Sequence, residues 1–197
     1  ALAGARAGET FEPTRTTPIH AAHVAAGARF EPVGQWLRAW YYPRAGESME
    51  DSIARECTAA RNAVAVMDAS TLGKIRIDGP DAREFINRVY SNAFAKLAPG
   101  ACRYGLMLDE NGMVMDDGIV ACLSDARFFV TTTTGGAARV LTWLETWHQT
   151  EWPELDVVFT SVTEQWSTIA VVGPKSRDVI AAMAPDLDVS KEGFEFM

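Results

Sequence analysis

Residues 104–120 read YGLMLDENGMVMDDGIV, two apolar runs joined by Asp109-Glu110-Asn111-Gly112. Asn-Gly between such runs signals a β-hairpin, because both residues tolerate the positive φ angles that a tight reversal needs. This part of the chain is therefore committed to antiparallel pairing, and its neighbours can be ordered around it. GKIRIDG (73–79) alternates Ile75 and Ile77 with polar residues, as a half-buried strand does. Gly79-Pro80 then opens a helix with Asp81 and Glu84 in its first turn and Phe85, Ile86 and Val89 as its buried stripe. After the hairpin, RFFVTTTT predicts another strand, broken by Gly135-Gly136. AARVLTWLETWHQ is amphipathic through Val140, Leu141, Leu144 and Trp147, and LDVVFTSV predicts a closing strand. Strand, helix, hairpin, strand, helix, strand is an α+β arrangement: the split βαβ, ferredoxin-like unit, an antiparallel sheet with helices on one face.

The same plan begins again. STIAVVGPKSRDVIAAM repeats GKIRIDGPDAREFINRV: an apolar strand, Gly-Pro, an arginine and a helix. A second related unit is therefore expected from residue 166, incomplete at residue 197, and the absence of an initiating methionine before ALAGARAGETFEP also reads as a fragment. Upstream, residues 1–18 carry Gly4, Gly8, Pro13 and Pro18 among small and charged residues, as an extended linker does. Residues 30–43 concentrate Phe30, Trp36, Trp40, Tyr41 and Tyr42, which predicts core or subunit interface. Ser48–Val64 predicts a packing helix, with Glu50 and Asp51 in its first turn and Ile53, Cys57 and Val64 as its apolar positions. The linear division is thus 1–47, an extended arm with an aromatic interface segment; 48–165, the first unit; and 166–197, the start of the second.

Charge and cysteine content narrow the function classes. In 197 residues, 18 Lys and Arg stand against 26 Asp and Glu, a net charge of −8, which argues against nucleic acid and anionic membrane as partners. Cys57, Cys102 and Cys122 are odd in number and dispersed, so neither a disulfide framework nor a zinc site is expected, and no metal site is assigned. With no membrane-length apolar run and no signal sequence, the expected location is the cytoplasm.

Few residues stand out as chemistry. His20 and His23 share a spacing that could place both on one helix face, but no third ligand accompanies them, and structural roles are expected. His148 complements the negative end of its helix. Neither Gly79 nor Gly173 belongs to a GxGxxG, so no dinucleotide fingerprint is present. Thr131–Thr134 is strand-forming sequence in which every second hydroxyl faces one side and could line a pocket. Asp116 and Asp117 are adjacent in an apolar strand, so one faces solvent and the other a core or cavity; the alternation alone does not fix which. A carboxylate beside Met115, Ile119 and Val120 is a candidate acid or base, because burying it is costly without a partner or ligand.

The set DASTLGKI, GPDAREFINRVYSN and RYGLMLDENGMVMDDGIV, in that order, resembles the folate-binding fold of the glycine-cleavage T-proteins, a family of aminomethyltransferases. The segments TPIHAAHVAAGARFEPVGQWLRAWYYPR, RECTAARNAVAVMDASTLGKI, TTTTGGAARVLTWLETWHQTEWPELDV and TSVTEQWSTIAVVGP are similar to the C-terminal part of the alpha subunits of heterotetrameric sarcosine oxidases. That resemblance implies an oxidoreductase acting on CH–NH donors, with beta, gamma and delta subunits as partners. It also implies NAD bound ahead of this region, flavins on the beta subunit and zinc on the delta subunit. Sarcosine would be oxidised at the flavin with release of hydrogen peroxide, and the one-carbon unit would pass to tetrahydrofolate, giving glycine and 5,10-methylenetetrahydrofolate.

Residue by residue, the second aspartate of the T-protein Asp-Asp pair, which lies near the folate N10, falls on Asp117, leaving Asp116 as its structural partner. The pterin-side tyrosine matches Tyr104. The D-x-S-x-x-G turn matches Asp68, Ser70 and Gly73, with Leu72 where the T-proteins carry Met against the folate, and Thr132 stands where they carry Asn. The resemblance thus assigns Asp117 as catalytic and Tyr104, Leu72, Asp117 and Thr132 as folate-binding. The competing readings are a stand-alone aminomethyltransferase and a non-catalytic folate-binding or structural segment of a subunit. The chain alone is expected to be inactive, to bind neither flavin nor zinc, and to self-associate.

Overall fold

The computed structural model describes residues 13–194; residues 1–12 of the expected arm lie outside the described residues. Contacts group the chain into two compact units, residues 72–166 and residues 13–71 together with 167–194, which differs from the linear division at residues 48 and 166.

The expectation of an extended arm does not hold for residues 15–41. β1 (Arg15–Thr16) pairs parallel with β3 (Trp36–Tyr41), which pairs antiparallel with β2 (Arg29–Val33), and the short α1 (His20–Ala25) lies between β1 and β2 in sequence. The aromatic segment explains why: Trp36 is buried, with the Arg15 guanidinium 4.2 Å from its ring centre, while Trp40 remains exposed. α2 (Met49–Asn62) starts at a capping box in which Asp51 N–H donates to Ser48 Oγ and Ser48 N–H donates to Asp51 Oδ2. The helix forms as expected, but its apolar positions do not pack. Ile53 and Cys57 are exposed, and Ser52 is its buried residue. Polar contacts hold it instead: Arg55 donates to both Glu47 carboxylate oxygens and to the Tyr42 carbonyl, and Glu56 accepts from Tyr42 N–H. The Arg55 hydrogen bond holds the Glu47 carboxyl down at about 2. β4 (Ala65–Asp68) completes this part of the unit.

The other unit follows the expected order: β5 (Gly73–Asp78), α3 (Ala82–Val89), β6 (Cys102–Leu108), β7 (Val114–Ser124), β8 (Arg127–Thr132), α4 (Ala137–Thr150) and β9 (Val158–Ser161). The strands form one fully antiparallel sheet in the order β6-β7-β8-β5-β9. Period-two alternation sends Ile75, Ile77, Met107, Val120, Phe128 and Val130 to one face. There they meet Phe85 and Ile86 of α3 and Val140 and Leu144 of α4. Both helices therefore cover the same face, and the opposite face carries Tyr104, Leu106, Asp117 and Ile119, with neither α3 nor α4 against it. Phe85 is the centre of the packed side, with Phe159, Trp152 and His148 rings at 4.9, 5.6 and 6.2 Å. His148 is thus a packing residue, and its Nε2 donates to the Leu155 carbonyl at 2.8 Å.

The repeated plan is present: β10 (Ile169–Val172) runs through Gly173-Pro174 into α5 (Ser176–Met183), as β5 runs through Gly79-Pro80 into α3. β10 pairs antiparallel with β4, and α5 buries none of its residues, whereas α3 buries Ala82, Phe85, Ile86 and Val89. Among the described residues no helix is long and apolar enough to cross a membrane.

Phe85 is fully buried, so Phe85→Ala should cost about 3–5 kcal/mol by opening a cavity in a region walled by rings that cannot collapse into it. A urea titration followed by circular dichroism measures this; a loss under 1 kcal/mol would contradict the packing described.

Candidate functional site

The phase of β7 is decided by a bulge. Met107 pairs with Asp116 but Leu108 pairs with Val114, so Met115 is an extra residue on β7, and from Asp116 onward the strand alternates without further shift as far as Cys122. Asp116 lands on the helix-covered face with Val120 and Cys122 and is buried; Asp117 lands on the helix-free face and is half-buried.

A buried carboxylate needs its oxygens satisfied. Asp116 Oδ1 accepts from Asp117 N–H at 2.8 Å and Thr133 N–H at 2.9 Å, and Oδ2 accepts from Thr133 Oγ1–H at 2.8 Å. The carboxylate sits where a side chain on Gly136, the N-cap of α4, would have to be: a Cβ there would lie 1.6 Å from Asp116 Oδ2. This is the reason for Gly136, which the sequence signals only as part of a strand breaker. Asp116 thus ties β7 to the turn between β8 and α4. Tyr90 lies on the same buried side; burial first, and the Asp116 charge second, push its phenol well above the ordinary range.

On the opposite face, Tyr104 Oη–H donates to Asp117 Oδ2 at 2.7 Å. Tyr104 pairs with Ile119 and Leu106 with Asp117, so the phenol reaches diagonally across the ladder. The Asp117 hydrogen bond, then burial, then the carboxylate charge raise the Tyr104 pKa above 10.0. Among the described residues no donor reaches Asp117 Oδ1, so the pair presents one exposed phenol and one uncommitted carboxylate oxygen.

The other residues assigned from the resemblance are placed differently. Thr132 pairs with Gly73 and is buried on the helix-covered face, its hydroxyl donating to the Thr133 carbonyl, so it is not brought to Tyr104 and Asp117. Thr131 is the threonine on the Asp117 face, and its Oγ1 accepts Ile119 N–H at 2.8 Å. Leu72 is half-buried and its carbonyl accepts from Lys74 Nζ at 3.0 Å. Lys74 departs from its pattern: GKIRID reads it as solvent-facing, yet it is fully buried. Nothing in the strand's own alternation signals that.

In the other unit, Asp68 of the D-x-S-x-x-G turn accepts Ser70 N–H at Oδ1 and His23 Nε2–H at Oδ2, at 3.0 and 2.9 Å, and Tyr42 Oη–H donates to His23 Nδ1 at 2.6 Å. Burial works to raise the Asp68 carboxyl, but the hydrogen bonds it accepts, the largest effect coming from Ser70, outweigh it and hold the group below the ordinary range. His23 is therefore structural, and its tie to Asp68 was not visible in sequence because 45 residues separate them. Among the described residues no group of three or more His, Cys, Asp or Glu side chains could hold a metal ion.

Residues 19–197 match the protein family described as "GCVT N-terminal domain". The chain is 58% identical over 197 residues to "Sarcosine oxidase subunit alpha" of a Corynebacterium species, covering 100% of this chain and 20% of that protein. It is 46% identical over 198 residues to the protein of the same description from Rhizobium meliloti, again covering 100% and 20%. To the "Probable aminomethyltransferase" of Halobacterium salinarum it is 32% identical over 176 residues, 87% of this chain and 46% of that protein. The crystal structure of glycine cleavage system aminomethyltransferase T from Bartonella henselae shares the fold, with a TM-score of 0.76 at 24% identity over 93% of this chain and 46% of that one. The chain thus spans about a fifth of the length of the sarcosine oxidase alpha subunits it matches.

The Tyr104–Asp117 contact makes a direct prediction. The charged acceptor favours the protonated phenol, so Asp117→Asn should move the Tyr104 titration down toward 10.0. Absorbance at 295 nm, with Tyr104→Phe as the difference reference, measures it; a titration that Asp117→Asn leaves in place would show that the contact does not exist in solution.

Proposed function

The chain belongs to the GCVT N-terminal domain family, and from that premise we propose that it is the tetrahydrofolate-binding part of a sarcosine oxidase alpha subunit. In this reading the flavin subunit oxidises sarcosine and forms hydrogen peroxide, and this chain directs the one-carbon unit onto tetrahydrofolate, yielding 5,10-methylenetetrahydrofolate and glycine. The observation that carries it is the pairing of Tyr104 with Asp117 on the helix-free face of the sheet, where a planar ligand can approach without displacing core. The higher identity to sarcosine oxidase alpha subunits than to aminomethyltransferases favours this over a stand-alone transferase.

The residues fit a folate. An uncommitted carboxylate oxygen beside an exposed phenol suits a ligand that brings an amine and an aromatic ring system. Tyr104 and Asp117 would hold it, with Leu72 supplying apolar contact. When bound, tetrahydrofolate supplies the nucleophilic nitrogen that accepts the one-carbon unit. Asp117 Oδ1 takes the proton that such an amine must lose, and the carboxylate charge stabilises cationic character nearby. Tyr104 fixes the other oxygen, so the carboxylate keeps one orientation through the proton transfer. Asp116 holds the strand that carries Asp117 and takes no part in the chemistry.

In the intact enzyme, Asp117→Asn should leave sarcosine oxidation unchanged and lower the ratio of methylenetetrahydrofolate to formaldehyde per hydrogen peroxide by roughly 10²- to 10⁴-fold, since oxidation lies elsewhere and the unprotected imine hydrolyses. Asp116→Asn should instead cost about 1–3 kcal/mol of stability, through an amide that cannot accept all three hydrogen bonds. An unchanged product ratio in Asp117→Asn at saturating tetrahydrofolate would refute the assignment.

A further inference from the structure

On the helix-covered side of the 72–166 unit, away from Tyr104 and Asp117, α4 borders a pocket that the folate reading does not use. A cavity of about 350 Å³ is walled by Trp143, Trp147 and Trp152 and edged by Asp109 and Glu110 of the hairpin turn. The Trp147 and Trp152 rings stack at 5.7 Å, and Trp143 meets Trp147 edge-on at 6.0 Å. A second cavity, of about 540 Å³, shares Glu110, Trp143 and Trp147 and continues along α4 from Ala138 to Glu151. Thirteen residues of helix span roughly 20 Å, far longer than one small solute. Along that line Thr146 and Thr150 turn their hydroxyls back onto the helix carbonyls of Thr142 and Thr146, so the groove floor presents methyl groups.

The charges around it do not cancel. Arg88 donates to Glu84 at 2.9 Å and lies 5.3 Å over the Trp152 ring, so its charge is already neutralised and the aromatic wall already holds a cation. Arg139 at the other end donates to the Met115 carbonyl. Asp109 Oδ1 accepts from the Asn111 and Met113 N–H groups, while Glu110 and Glu151 make no side-chain bond among the described residues. Trp152 already carries the Arg88 guanidinium, but among the described residues no cation lies over Trp143 or Trp147, and these rings with the uncommitted Glu110 and Glu151 carboxylates attract cations.

We infer that this groove docks a polypeptide segment of another subunit, which lays an extended or helical stretch along α4 and inserts an arginine or lysine side chain into the tryptophan-walled pocket. The inference rests on the reading of this chain as part of a multisubunit enzyme. Tryptophan and arginine are the residues most enriched at interface anchors. The groove's length fits a polypeptide, and its charge selects a basic one.

The test uses the assembled enzyme, with Trp143→p-benzoylphenylalanine as a photo-crosslinker and Glu110→Lys as a charge reversal at an exposed turn residue that packs into no core. The crosslink should join a different polypeptide within a few residues of an arginine or lysine, and Glu110→Lys should weaken subunit association tenfold or more, read by native mass spectrometry across a dilution series. Crosslinks confined to this chain, or unaltered association in Glu110→Lys, would overturn the inference while leaving the folate reading intact. So would saturable binding of tetramethylammonium to the assembled enzyme that Glu110→Lys abolishes, since the pocket would then be an open small-cation site. A protein recovered with no other polypeptide would instead overturn the subunit reading on which this one stands.

Discussion

The Asp116 carboxylate is the tie on which the site depends. Three hydrogen bonds converge on its two oxygens, from the backbone of Asp117 and from the backbone and hydroxyl of Thr133. Two of these donors belong to the turn that ends β8 and begins α4, and the third belongs to the neighbouring residue whose side chain points the other way. One buried group therefore fixes both the strand register and the start of the helix. A charged acceptor suits this role, since each bond to it is stronger than its neutral counterpart. It is affordable in the core only because all three donors are delivered by structure that is already formed.

Because Asp116 faces inward, Asp117 must face outward, and the two sides of one sheet acquire different work. One side is closed by α3 and α4 around Phe85. The other holds Tyr104, Leu106, Asp117, Ile119 and Thr131 in register across three adjacent strands, a surface shaped by backbone ladders and not by loops. Groups mounted on paired strands keep their mutual distances better than groups on loops, so backbone pairing holds the Tyr104–Asp117 contact in place.

The parts legible in sequence were those with strong local signals. The hairpin at Asn111-Gly112, the helices after Gly79-Pro80 and Gly136, and the order of five strands follow from periodicity and turn chemistry, and the strand–Gly-Pro–helix repeat was readable as self-similarity. What escaped has a common cause. The Met115 bulge shifts pairing without leaving a compositional mark, so the facing of Asp116 and Asp117 could not be read. Periodicity predicts the α2 helix and points to Ile53 and Cys57 as its packing face, but Arg55 and Glu56 hold it through partners at Tyr42 and Glu47. The resemblance assigns Thr132 because it stands where the T-proteins carry Asn, and only pairing shows that it is buried against Gly73 while Thr131 shares a face with Asp117. Lys74 and the His23–Asp68 tie depend on tertiary neighbours that no local pattern encodes.

The pairing of β4 with β10 also sets an order of events during synthesis. Ser70 and Thr168, whose hydrogen bonds accompany that pairing, are 98 residues apart. Between them lies an entire unit with its own core. On a ribosome, residues 72–166 have all emerged before β10 does, so β4 waits as an unpaired edge carrying the exposed Val66 and Met67. This edge is open to other strands from the emergence of β4 to that of β10, and slowing of translation within that interval prolongs it.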